Sequence, residues 1–105
     1  MTAAILRVSY TESGGFAGLV RSCRLEAAAL AAEERALLEQ LVAAAGLTAS
    51  CECLSEQSRD SRTYEIVIEW ETIQIHTVFD EPSLPTEVRP LVSFLRERAR
   101  PGMPT

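Results

Sequence analysis

The sequence predicts an α+β two-layer sandwich, a four-stranded antiparallel sheet with two helices on one face, in the order ββαββα. Three observations carry that expectation. Apolar residues alternate with period two in four segments, at 5–11, 19–26, 62–71 and 73–79. Two other stretches, 27–45 and 88–99, space their apolar residues as an amphipathic helix does. Glycine and polar clusters separate the segments where turns are needed.

Ile5 to Thr11 reads as the first strand, with Leu6, Val8 and Tyr10 on one face and Ile5, Arg7 and Ser9 on the other. A turn cluster follows, Glu12-Ser13-Gly14-Gly15-Phe16-Ala17-Gly18. Leu19 to Glu26 resumes the alternation and completes a hairpin. Ala27 to Ala45 is alanine-rich, carries Glu33 and Glu34 early, and aligns Leu30, Leu37, Leu38, Leu41 and Ala45 along one face. Gly46 then stops the helix, and Leu47 suits a hydrophobic contact back across a left-handed cap. Thr48 to Ser61 is polar and reads as irregular. From Arg62, Tyr64, Ile66, Ile68 and Trp70 share one face. Glu65, Glu69 and Glu71 share the other, which predicts one packed and one wet sheet face. A tight turn at Glu71-Thr72 leads to Ile73, Ile75, Thr77 and Phe79. The last helix carries Val88, Leu91, Val92, Leu95 and Ala99, with Pro90 near its start and Arg96, Arg98 and Arg100 at its end. One domain over residues 1–100 and a short frayed tail over 101–105 result.

Composition narrows the function classes. The chain has 105 residues, 47% hydrophobic and 24% charged, which suits one soluble globular domain. Fifteen acidic against ten basic groups give a formal net charge of −5, so a phosphate backbone would repel the chain on average. No apolar run approaches the roughly 20 residues of a membrane span. The N-terminus lacks the basic flank and apolar stretch of a secretory signal, which predicts a cytoplasmic protein. All ten basic residues are arginine, and Lys and Asn are absent, a pattern that fits coding bias in a GC-rich genome. Three cysteines cannot close a complete set of internal disulfides, consistent with a reducing compartment.

Nothing in the residue pattern supports catalysis. His76 is the only histidine, it falls on the wet face, and no residue is placed in sequence to orient it. Cys51-Glu52-Cys53 supplies half of a tetrahedral metal site, and no second Cys/His pair completes it, so these read as incidental loop thiols. Cys23 reads as a packed strand residue. Glu65, Glu69 and Glu71 form a solvated stripe. The glycine cluster has no lysine and leads into a strand, unlike a phosphate-binding loop, which opens a helix. Neither a metal nor any other cofactor is expected.

One feature exceeds what a turn requires, namely Phe16 placed among three glycines. The strand-Ser13-Gly14-Gly15-Phe16-Ala17-Gly18-strand start resembles the emfourin family, inhibitors of thermolysin-like (protealysin-type) zinc metallopeptidases. The resemblance extends through Ala44-Ala45-Gly46-Leu47, the Tyr64–Trp70 strand, His76-Thr77-Val78, and Val88-Arg89-Pro90-Leu91-Val92-Ser93-Phe94-Leu95. It therefore covers nearly the whole chain.

That resemblance implies a bacterial intracellular inhibitor that plugs the active-site cleft of a thermolysin-like metallopeptidase. The expected binding loop is Glu12, Ser13, Gly14, Gly15, Phe16, Ala17, Gly18 and Leu19. Phe16 or Leu19 would fill the apolar pocket, while Glu12 or a backbone carbonyl approaches the target's zinc. The metal would belong to the target. The alternative is a non-catalytic interaction module that forms a homodimer through a sheet edge.

Overall fold

The computed structural model describes residues 4–14, 20–54 and 62–101. Six strands and two helices are arranged as β1 (Ile5–Gly14), β2 (Arg21–Glu26), α1 (Ala32–Ala45), β3 (Cys51–Cys53), β4 (Arg62–Trp70), β5 (Gln74–Asp80), α2 (Arg89–Arg98) and β6 (Arg100–Pro101). Short 3-10 turns at Ala27–Ala29 and Thr86–Val88 precede the two helices.

All six strands lie in one mixed sheet, in the order β3-β5-β4-β1-β2-β6. The expected four-stranded antiparallel sheet and ββαββα order are thereby corrected. The pairs β1/β2, β1/β4, β4/β5 and β2/β6 are antiparallel, whereas β3 runs parallel to β5. Cys51 and Cys53 thus sit on an edge strand, not in an irregular loop. Two or three residues are too few for alternation to register, and a parallel partner 26 positions away leaves no local turn signal.

Pairing also changes the face assigned to the start of β1. Ile5 pairs with Trp70 and Arg7 with Glu69, so one extra residue on β1 is accommodated as a bulge. Ile5 turns into the core and Leu6 is left exposed, the reverse of strict alternation. Beyond the bulge the pattern holds, and Val8, Tyr10, Tyr64, Ile66, Ile68 and Phe79 are buried together. Both helices contribute to that same cluster, through Leu38, Val42 and Ala45 from α1 and Leu91, Val92, Phe94 and Leu95 from α2. Trp70 packs against it, half-buried, as the one-sided pattern requires.

The first helix begins later than its alanine run. Ala27–Ala29 forms a 3-10 turn, and Ala31 is extended at φ −60°, ψ 152° before α1 starts. Leu37 consequently faces outward, and Val42 takes a place in the core stripe. Gly46 ends the helix with φ +68° and donates its N–H to the Ala43 carbonyl at 3.2 Å, and Leu47 packs against the core. The second helix has Pro90 in its first turn and Arg96 and Arg98 in its last. The chain then re-enters the sheet, where Pro101 pairs with Arg21 and Arg100 with Ser22. The tail boundary expected at 101 therefore falls inside a strand, while residues 102–105 lie outside the described residues.

Candidate functional site at the glycine end of the sheet

The register gathers four strand ends at one edge of the molecule. Gly14 closes β1 opposite Arg62, where β4 begins. Arg21 opens β2 opposite Glu12, and Asp80 closes β5 opposite Thr63. The glycine cluster therefore springs from the end of a central strand held on both sides. Gly14 has φ +93°, a conformation that side-chain-bearing residues rarely adopt, so glycine is required where the chain leaves the sheet. Of the expected binding loop, Glu12, Ser13 and Gly14 are the last residues of β1. Gly15, Phe16, Ala17, Gly18 and Leu19 lie outside the described residues.

Glu12 occupies a position that alternation assigns to the core, after Val8 and Tyr10. It is only 8% exposed. Its carboxylate accepts a hydrogen bond from the Tyr10 hydroxyl at 2.7 Å and pairs with Arg96 Nε at 2.9 Å. Arg62 adds a longer contact at 3.9 Å. A buried carboxylate is tolerated only with such partners. Here they tie β1, β4 and α2 together directly beneath the point where the loop departs. Glu12 therefore sits inward at the loop's base, held by cations of its own chain.

A second network flanks the first. The Tyr64 hydroxyl donates to Glu81, Glu81 lies 3.8 Å from Arg89, and the Glu81 N–H donates to the Arg62 carbonyl at 3.0 Å. Burial, with the adjoining carboxylates, raises both tyrosine pKa values, Tyr64 to about 12 and Tyr10 further still. Asp80 is buried and accepts the Ser83 N–H at 3.0 Å, which fixes the turn after β5. The site contains packed and paired groups that hold a loop base rigid. Sequence reading missed the inward role of Glu12, because a glutamate next to Ser-Gly-Gly resembles the start of a loop. The one available signal was its place two residues after Tyr10.

The remaining expected residues fall elsewhere. His76 lies on the wet face, exposed, with Nε2 2.6 Å from Glu65, so a partner does orient it, contrary to the reading of the bare sequence. That pair opens to solvent. On the same face Arg7 bridges Glu26 at 2.7 Å and Glu69 at 3.2 Å, its two cross-strand neighbours. Cys23 donates to the Leu95 carbonyl at 3.6 Å, and burial pushes its thiol pKa up to about 11, as suits an inert packed cysteine. Burial and the neighbouring Cys53 raise the Cys51 pKa. Among the described residues, no group of three or more His, Cys, Asp or Glu side chains is arranged to hold a metal ion. No helix of the described residues is long and apolar enough to cross a membrane.

The model of the Emfourin family matches residues 10–96, from the second half of β1 into the last turn of α2. The chain belongs to the Emfourin family. This is an inhibitor family, and membership points to a protease as partner and away from catalysis by the chain itself. No curated protein and no solved structure matches the chain significantly. The matched span includes the glycine cluster, Glu12, Arg62 and Arg96, so this emfourin's loop base lies inside the family's own domain.

Proposed function

We propose that this emfourin inhibits thermolysin-like zinc metallopeptidases in the cytoplasm, with residues Glu12 to Leu19 as the element that enters the cleft. Family membership over residues 10–96 carries the reading. The anchorage of Glu12 and the positive φ of Gly14 support the choice of loop. A loop whose base is pinned to two neighbouring strands and a helix loses little conformational entropy on docking. Phe16 or Leu19 supplies the apolar anchor, and with Glu12 engaged inside its own fold, a backbone carbonyl of the loop is the better group to face the target's zinc. The chain needs no cofactor, because that zinc belongs to the enzyme. It acts as a single domain over residues 1–100.

Dimerisation through a sheet edge has less to recommend it. Among the described residues β3 and β6 cover part of each edge, over Thr77–Phe79 of β5 and Arg21–Ser22 of β2, and family membership points to a protease as the partner.

Titrating thermolysin with the purified chain tests the proposal. Residual activity should fall linearly to near zero at equimolar inhibitor. Full activity in the presence of a large excess of folded protein, for thermolysin and a protealysin-type enzyme alike, would contradict it.

A further inference from the structure

The charged groups around the glycine end are sorted by depth. Arg21, Arg62, Arg96 and Arg100 are all exposed, and each lies at or beside an end of the loop-bearing strands. Arg21 pairs with Glu12 on one side and Pro101 on the other, Arg62 pairs with Gly14, and Arg100 pairs with Ser22. Two of the carboxylates among them are withdrawn, Glu12 at 8% exposure and Asp80 at 1%, and the exposed Glu81 is engaged by Tyr64 and Arg89. Neighbouring charges close on themselves, Arg89 with Glu81 and Arg98 with Glu34 and Glu97. Four arginines are therefore exposed at or beside these strand ends, on both faces of the sheet, while Glu12 and Asp80 are covered. The whole chain, by contrast, carries a net charge of −5. At the opposite end, beside Trp70, the exposed or half-buried acids include Glu26, Glu69 and Glu71, with Arg7 as the cross-strand cation of the first two.

We propose that Arg21, Arg62, Arg96 and Arg100 form a basic docking rim that meets an acidic surface around the mouth of the protease cleft, and that this rim steers association. The inference rests on the inhibitor reading above and adds to it the charge of the partner's face. Stability alone does not call for this arrangement: Arg96 suffices as a close partner for Glu12, while Arg21 and Arg100 project from short strand ends. An acidic protein that must find an acidic surface is slowed by net repulsion. A local basic face reverses that term over about a Debye length, roughly 8 Å at physiological ionic strength. Guanidinium groups also fit carboxylates in paired, forked geometry. Charges at an interface rim act mainly on the association rate, whereas the central anchor governs dissociation.

The experiment is stopped-flow association with a thermolysin-like metallopeptidase that the wild-type chain inhibits, measured from low to high salt. Arg21→Gln/Arg100→Gln is compared with Arg35→Gln/Arg24→Gln, which removes the same charge from exposed positions outside the rim. Arg21 and Arg100 are chosen because the ion pairs of Glu12 are made by Arg62 and Arg96, and thermal melts establish that both variants are folded. The rim variant should associate several-fold to about tenfold more slowly at low salt and show a shallower salt dependence, with its dissociation rate unchanged. Arg21→Lys/Arg100→Lys should restore most of the rate. Equal slowing by both double variants, or an association rate indifferent to salt while inhibition persists, would overturn the rim and leave the inhibitor reading standing. Absence of inhibition by the wild-type chain would overturn both.

Discussion

Glu12 holds the end of β1 from which the candidate loop departs. It is a charged side chain in a core position, and removing it leaves Arg96 and the Tyr10 hydroxyl without their acceptor. Because both arginine partners are about half exposed, the loss is well below that of a fully buried pair. We expect Glu12→Ala to cost about 1–3 kcal/mol, read as a drop in Tm, with Glu12→Gln costing less because the Tyr10 bond survives. An unchanged Tm for Glu12→Ala would mean that the carboxylate does not anchor the loop base. The tyrosines give a second expectation at this scale. Both have folded-state pKa values above the ordinary value of 10, Tyr64 at about 12. The folded state thus favours the neutral phenol. This contribution is fully present below pH 10 and is lost as pH rises from about 10 through about 12. Ultraviolet titration should show no phenolate forming near pH 10 in the folded protein. Two normal titrations there, with the fold intact, would contradict the buried hydroxyl networks.

Among the elements, those with sustained periodicity were legible in the residues, and those set by distant pairing were not. β4 alternates over nine residues, and each expected inward position is occupied as expected. α2 and the Gly46 cap were equally readable, because proline, glycine and arginine mark helix ends through local physics. β3 and β6 were not, since three and two residues carry no period and their partners lie far along the chain. The bulge at Leu6 was hidden for a related reason: one extra residue shifts a face, and only the register against β4 reveals it. Alanine propensity hid the break before α1. The helix register makes a direct test. Leu38 is fully buried and Leu37 is exposed, so Leu38→Ala should cost about 2–5 kcal/mol and Leu37→Ala under about 1. Similar losses for both would contradict the register of α1. Gly46→Ala meets no atom within 4 Å, so its cost is that of the left-handed backbone alone, about 1–2 kcal/mol in a denaturant melt.

At the scale of the whole molecule, a six-stranded sheet carries its helices on one face and gathers four strand ends around Gly14. Ser13-Gly14-Gly15-Phe16 marked the candidate loop in the sequence, but the charged groups at its base were not legible there. Arg62 and Arg96 reach Glu12, and Arg21 and Arg100 reach neighbouring strand ends, only through folding, and Cys51 and Cys53 become edge residues only through pairing with β5. Two thiols fall short of a tetrahedral zinc site. Elemental analysis of the purified protein should therefore find no stoichiometric zinc, and one equivalent would show that residues beyond this pair complete a site. The central claim, that the loop after Gly14 carries inhibition, is tested most directly by Phe16→Ala, measured for inhibition and thermal stability together. If Phe16 is the anchor in the cleft, its truncation removes about 2 kcal/mol or more of binding, roughly a thirtyfold weaker inhibitor, with Tm essentially unchanged. A variant that melts several degrees lower yet inhibits as well as wild type would place Phe16 in the fold's own packing and contradict the claim.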